Sequence, residues 1–362
     1  MRDLLTHLRK ESYWARRRLP ALLLLVVVLP AVFAVGTVAF EGVVPEDTPV
    51  AVVPASEDVT EADMQVAEGV LALAADPRRV DSPERAAALL HRERVYAVVR
   101  VPANVTADAA DPAVFEYRVS GSVVPYVKPS RAIAAQVERG LNDPDGVVSP
   151  RRPIEVRHVV LAPSVGLREY LAPAALVLLA VLVGLGFLPR LVADERQALP
   201  RLRVESSLTS VLAAKLIAGL ALMVVPLVTV AGVVTYLSYD VHPLNPLAVV
   251  AYLLLVVHVA GVGMTVALAL ERRTATVLNL GLVIGLLLAG NPVYPRGFFS
   301  VVRGRVAELV PLHHAAVAVR AGVLRNSAVA PLATELGVVA LAALGSLVAL
   351  FGTARLVTEG PQ

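Results

Sequence analysis

The stretch YLAPAALVLLAVLVGLGFLP, Tyr170–Pro189, decides the class of this protein. It carries no Asp, Glu, Lys or Arg, and about 20 apolar residues at about 1.5 Å each cross the roughly 30 Å hydrocarbon core of a bilayer. Five more stretches pass the same test: Leu19–Phe40, Leu216–Tyr239, Val241–Leu270, Thr274–Pro295 and Leu336–Ala354. Composition agrees, with 56% hydrophobic and 17% charged residues and a mean hydropathy of +0.68. A soluble domain carries about 45–50% apolar and about 25% charged residues. The expected fold is an α-helical integral membrane protein of six transmembrane helices. Arg16, Arg17 and Arg18 precede the first span, but its apolar run exceeds the roughly 7–15 residues of a signal peptide. Residues 19–40 are therefore read as an uncleaved first helix.

Lys and Arg near the helix ends set the orientation. Arg2, Arg9, Lys10 and Arg16 to Arg18 place the N-terminus in the cytoplasm, and Arg190, Arg196, Arg201 and Arg203 do the same for the loop after the second span. Six spans then return the C-terminus to the cytoplasm, in the plasma membrane. Arg296, Arg303, Arg305, Arg320 and Arg325 conflict with this count, because it puts residues 296–331 outside. Residues 1–18 read as an interfacial helix, with Leu4, Leu8 and Ala15 on one face, Arg2, Arg9 and Arg16 on another, and Tyr13 and Trp14 suited to the headgroup region.

Residues 41–167 have the composition of a soluble domain, with 19 acidic and 13 basic residues, and are long enough for their own core. Strands are expected at Thr48–Pro54, Val95–Val101, Val114–Val119 and Ile154–Leu161. Helices are expected at Thr60–Ala75, from Ser82 to about Arg92, and at Ser130–Leu141. Alternating strands and helices indicate an inserted extracytoplasmic α/β domain. Asn104-Val105-Thr106 is a glycosylation sequon in an outside loop.

Several chemistries are missing. The chain has no cysteine, which excludes disulfides and thiolate metal sites, and no G-x-x-x-x-G-K-[ST] phosphate loop, so no cofactor is expected on it. The basic residues are scattered, so no nucleic-acid partner is expected. His313 and His314 are adjacent, which turns their rings to different faces of a helix, and His258 inside the fourth span reads as a neutral histidine bonded to a carbonyl. None of the six stretches contains a carboxylate, which disfavours a dedicated ion path. Gly281-x-x-x-Gly285 permits close helix packing.

Three segments carry a family resemblance. Asp194-Glu195-Arg196 leads through Arg201 and Arg203-Val-Glu205-Ser-Ser-Leu208 to Lys215-Leu216. Glu84-Arg-Ala-Ala-Ala-Leu-Leu precedes Val95-Tyr-Ala-Val-Val-Arg-Val-Pro102, followed by Phe115-Glu-Tyr-Arg-Val-Ser-Gly121-Ser. Pro311-Leu-His-His-Ala-Ala-Val-Ala-Val-Arg320 lies before the last span. In order and spacing these resemble the permease subunit of ABC-2 type ABC transporters, in the branch with a large extracytoplasmic domain between its first two helices. The family's usual Gly-Thr after the acidic residues is replaced by Ala198-Leu-Pro200.

The resemblance implies an ATP-driven transporter, read as an exporter. Its partners would be separate ABC ATPase subunits that use the ATP, a second permease and the lipid membrane. It implies a coupling segment over residues 190–210 containing Asp194, Glu195, Arg196, Arg201, Arg203 and Glu205, and re-entrant helices within residues 296–331, which account for the charge conflict. The alternative function is a non-transporting sensor or assembly protein whose outside domain binds a ligand or partner.

Overall fold

The computed structural model describes residues 48–105, 111–142, 153–161, 165–195, 207–290, 292–293 and 301–359. The first expected span, the interfacial helix and residues 196–206 lie outside them. The chain divides into two compact units.

In the first unit, β1 (Pro49–Pro54), α1 (Glu61–Leu71), β2 (Asp76–Arg79), α2 (Pro83–His91), β3 (Ala97–Val101), β4 (Ala113–Ser120), α3 (Val124–Leu141) and β5 (Ile154–Leu161) follow in order. They build one five-stranded sheet in the order β2-β1-β3-β4-β5. Pairing is parallel except between β3 and β4. Central β1 is covered on both faces, so its PVAVV run is buried throughout, as an unbroken apolar strand should be. One face packs Val50, Val52, Val99, Phe115 and Tyr117 with Met64, Val70 and Val137 of the helices. The other packs Ala51, Val53 and Val98 with Ala86 and Leu90 of α2. Beyond α2 that second face carries charge: Glu116 of β4 pairs with Arg100 at 3.5 Å and Arg118 at 2.9 Å, which is why β4 alternates buried and half-buried residues.

Local signals set the helix starts. Thr60 caps α1 in a reciprocal capping box with Asp63, and Ser82 caps α2 with Pro83 in its first turn. Asp63 is fully buried; its second oxygen accepts from the Val105 amide at 2.8 Å, tying α1 to the chain after β3. Helix α1 ends at Leu71, four residues before the expected Ala75, and α3 starts at Val124, six before the expected Ser130. Strand β2, sequence DPRR, was not expected. It is an edge strand, where a proline and two arginines are tolerated because only one side must pair.

The second unit is helical. α4 (Leu167–Leu182) continues through a π-helical turn (Val183–Phe187) into α5 (Leu188–Glu195). Then come α6 (Leu208–Tyr236), α7 (Pro246–Ala269), α8 (Arg272–Gly290), short α9 (Val301–Glu308), α10 (Pro311–Arg325) and α11 (Ala333–Glu359). Of these, residues 167–170 of α4 and 301–307 of α9 cluster with the first unit. Among the described residues five helices are long and apolar enough to cross a membrane: 169–194, 208–236, 246–269, 272–290 and 330–358. Helix α7 is the centre, in contact with α5, α6, α8, α10 and α11. Asn245 caps it, accepting from the Leu247 and Ala248 amides at 2.9 and 3.4 Å, and its amide donates to Asn326 Oδ1 at 2.8 Å beyond α10.

The third span is longer than its uncharged run. Helix α6 starts at Leu208, which brings Lys215 inside the helix and buries it. Between the last two spans the chain forms α9 and α10, both too short to cross a bilayer. Residues Leu312–Leu324 of α10 are all buried, so Arg320 is a core residue that donates to the Pro292 carbonyl at 3.0 Å, not a loop charge. A buried arginine of this kind does not count toward orientation.

Candidate functional site

The feature that breaks regular helix geometry is the π turn at Val183–Phe187. Such turns insert one residue and are frequent at functional sites. Here the glycines in and opposite the turn let two helices touch. A Cβ added at Gly263 of α7 would lie 2.6 Å from Pro189 Cγ and 2.7 Å from the Gly184 carbonyl oxygen, so only glycine fits the crossing.

Beside that crossing, α5, the π turn, α7 and the first half of α8 enclose a cavity of about 340 Å³. Its walls are mostly apolar, with Arg190, Thr276 and Asn279 as polar exceptions. Asn279 is 4% exposed; its amide donates to the Gly263 carbonyl at 3.2 Å, which fixes the side chain's orientation. Thr276 donates to the Arg272 carbonyl at 2.7 Å, one turn back along α8.

At the same end of the bundle Arg272 pairs with Asp194 at 3.0 Å. Asp194 lies in the last turn of α5 and Arg272 opens α8, so each charge opposes the dipole of its own helix, and pairing offsets both penalties. The arginine is well exposed, so the pair itself contributes on the order of 0–1 kcal/mol.

Against this geometry, the model of the ABC-2 family transporter proteins matches residues 20–351. The chain belongs to that family. No curated protein and no solved structure matches it. As an ABC-2 chain it is a multi-pass membrane protein and a permease subunit, the transport component that associates with ABC ATPases.

The expected coupling residues divide at residue 195. Asp194 is ion-paired, and Glu195 closes α5; Arg196, Arg201, Arg203 and Glu205 lie outside the described residues. Among the described residues nothing comes within 4 Å of a Cβ built at Gly281 or Gly285. Among the described residues the close helix approaches are made at other glycines, Gly184, Gly263 and Gly322 among them, and at Gly261 against Ser346. His258 meets the Ala342 carbonyl at 3.1 Å through Nδ1, the bonded histidine its position suggested. His314 meets the Glu308 carbonyl at 2.8 Å, and the His313 and His314 rings are edge to face. Among the described residues no group of three or more metal-ligating side chains occurs.

Sequence reasoning missed two features. Asn279 gave no signal because a single amide in an apolar run has many roles. The second is a polar cluster inside the α/β unit. Tyr117 and Tyr126 share a hydrogen bond at 2.8 Å, and Ser130 meets His158 Nε2 at 2.8 Å. The His158 ring stacks on Tyr117. Burial lowers the His158 pKa, helped by the positive charge of Arg131, while burial raises those of both tyrosines. Tyr117 and His158 lie on strands and Tyr126 and Ser130 on α3, and no sequence pattern joins them.

Proposed function

We propose that this permease subunit is half of an ATP-driven exporter of the plasma membrane. It has six spans, the first at residues 19–40, and both termini are cytoplasmic. The α/β domain of residues 41–167 lies outside. The chain pairs with a second permease and with two ATPase subunits that use the ATP. Closure of the ATPases pushes on residues 190–210, and the push reorients the bundle.

One observation carries this reading: α4, the π turn and α5 form one continuous helix that ends at the coupling segment, and its last turn is ion-paired to the start of α8. A force on that end reaches two spans at once. Coupling of this kind needs two states with different contacts, and an exposed ion pair is weak enough to break and re-form. The mixed charge of Asp194 to Glu205 suits a docking surface that fixes a partner's orientation.

The test replaces Glu195 and Arg203 together with Ala and measures pull-down of the partner ATPase. Normal expression with weakened ATPase association is expected, since removing one partner of a buried charge pair costs about 2–5 kcal/mol. Undiminished association and transport would defeat the coupling role. Failure of the wild-type chain to co-purify with any ATPase would favour the sensor reading.

A further inference from the structure

The π turn is held on one side and free on the other. In it the Leu188 amide donates to the Val183 carbonyl, five residues back rather than four. Gly184 and Gly186 lie within the turn. Pro189, just beyond it, has no N–H to donate and a ring that crowds the carbonyl four residues back. Toward α7 and α6 the turn is jammed: a Cβ at Gly184 would collide with Val259 Cγ2, and one at Gly219 of α6 would lie 2.7 Å from Leu188 Cδ1. Toward α8 it faces the cavity, and among the described residues nothing comes within 4 Å of a Cβ at Gly186.

The cavity gives α5 a second place to sit. Its walls on α5 and the start of α8 carry small side chains at Ala193, Ala275 and Thr276, and helices approach closely through such residues. Asp194 already ties the last turn of α5 to Arg272 of α8 at 3.0 Å, through a pair exposed enough to shift with the helix. Sharp helix kinks, which π turns permit, exceed about 20°. Over the eight residues of α5, about 12 Å, a bend of that size moves the far end by about 4 Å. A cavity of about 340 Å³ has room for that displacement.

We propose that the π turn is a pivot giving α5 two seats, one on α7, as in this structure, and one on α8 with the cavity closed. Packed interfaces switch between discrete arrangements rather than deforming continuously. The glycine contacts with α7 define the first seat, and the small residues facing α8 define the second. The trigger rests on the coupling reading, in which an ATPase pushes the end of α5. The two seats themselves belong to this chain alone.

The test uses the chain without ATPase, in lipid nanodiscs, with a trifluoroethyl thiol label on Glu195→Cys, which is then the sole cysteine. Two fluorine resonances, or one broadened by microsecond-to-millisecond exchange, are expected. Gly186→Leu fills the cavity from a position with room for the side chain, so it should leave one sharp resonance. Gly263→Ala crowds the α7 seat and should raise the share of the second state about tenfold, the lower part of the range for overpacking. The same label on Thr358→Cys, in α11, should give one unchanged spectrum in every variant, which separates a moved α5 from a disturbed fold. If Gly263→Ala fails to fold, a chain carrying Ala193→Cys and Thr276→Cys decides. Oxidative disulfide formation in it should be about tenfold slower with Gly186→Leu, which holds the two helices apart. One sharp resonance unmoved by either substitution, or equal disulfide rates, would overturn the pivot. Both resonances in a chain that binds no ATPase would keep the pivot and remove its trigger.

Discussion

Replacing Gly263 with Ala isolates the helix crossing on which the membrane unit depends. The substitution has two opposing effects. Alanine is favoured over glycine in a helix by about 0.8–1.0 kcal/mol. The added methyl, however, would lie 2.6 Å from Pro189 Cγ, 2.7 Å from the Gly184 oxygen and 3.2 Å from Leu185 Cα. Two of these three atoms are backbone, and the third belongs to a rigid ring, so none can yield by a rotamer change. Overpacking of this kind costs about 1–3 kcal/mol, and the upper half of that range applies where backbone must shift. The net expectation is a loss of about 1–2 kcal/mol, or roughly 2–8 °C in melting temperature for a unit of this size. Gly186→Ala is the control: it lies in the π turn, meets nothing within 4 Å, and should be neutral or stabilising. Thermal unfolding in one detergent, followed by circular dichroism, compares the two. A Gly263→Ala chain as stable as the wild type, or a Gly186→Ala chain equally destabilised, would refute the close-contact reasoning.

Three further expectations rest on the same structure. In the α/β unit the lowered pKa of His158 means that the unfolded chain takes up its proton first. That contribution to stability is complete above the ordinary imidazole value near 6.5 and is lost as pH falls through the lower folded value, so the unfolding midpoint should drop in mild acid and His158→Gln should flatten the dependence. Asp63→Asn puts an amide donor where two carboxylate oxygens accept from Thr60 and Val105; a loss of about 1–3 kcal/mol is expected, with faster hydrogen exchange at the Val105 amide, and unchanged exchange there would contradict it. Because the chain has no cysteine, single thiols report orientation: Asp81→Cys should react with an impermeant reagent in whole cells and Thr358→Cys only after permeabilisation, the reverse result inverting the topology.

Much of the architecture is legible in one dimension because its causes are local. An uncharged run such as Tyr170–Pro189 must be helical in a bilayer, where every backbone polar group has to pair internally. Thr60 and Ser82 announce their helices by capping the next turn, and Ile154–Arg157 alternates because one face of that half of β5 is covered and the other is not. The exceptions are physical. Strand β2 has no strand composition and exists because β1 offers it an edge to pair with. Arg320 looks like a loop charge until α10 is packed on all sides. Gly281 and Gly285 have the spacing of a packing motif, yet the close approaches are made at Gly184 and Gly263, which belong to different helices and share no motif.

The sequence by itself therefore determined the class of the protein, its apolar spans, the existence of a separate α/β unit and the absence of a phosphate loop, since all of these depend on composition and on neighbours a few residues apart. Only the tertiary structure decided where helices touch, which charges pair and where a cavity forms. Asp194 meets Arg272 across a long stretch of chain and Asn279 meets Gly263 on the neighbouring helix, and such pairs depend on how α5, α7 and α8 cross. No period or motif records a crossing, because it is set by the side chains of several helices at once.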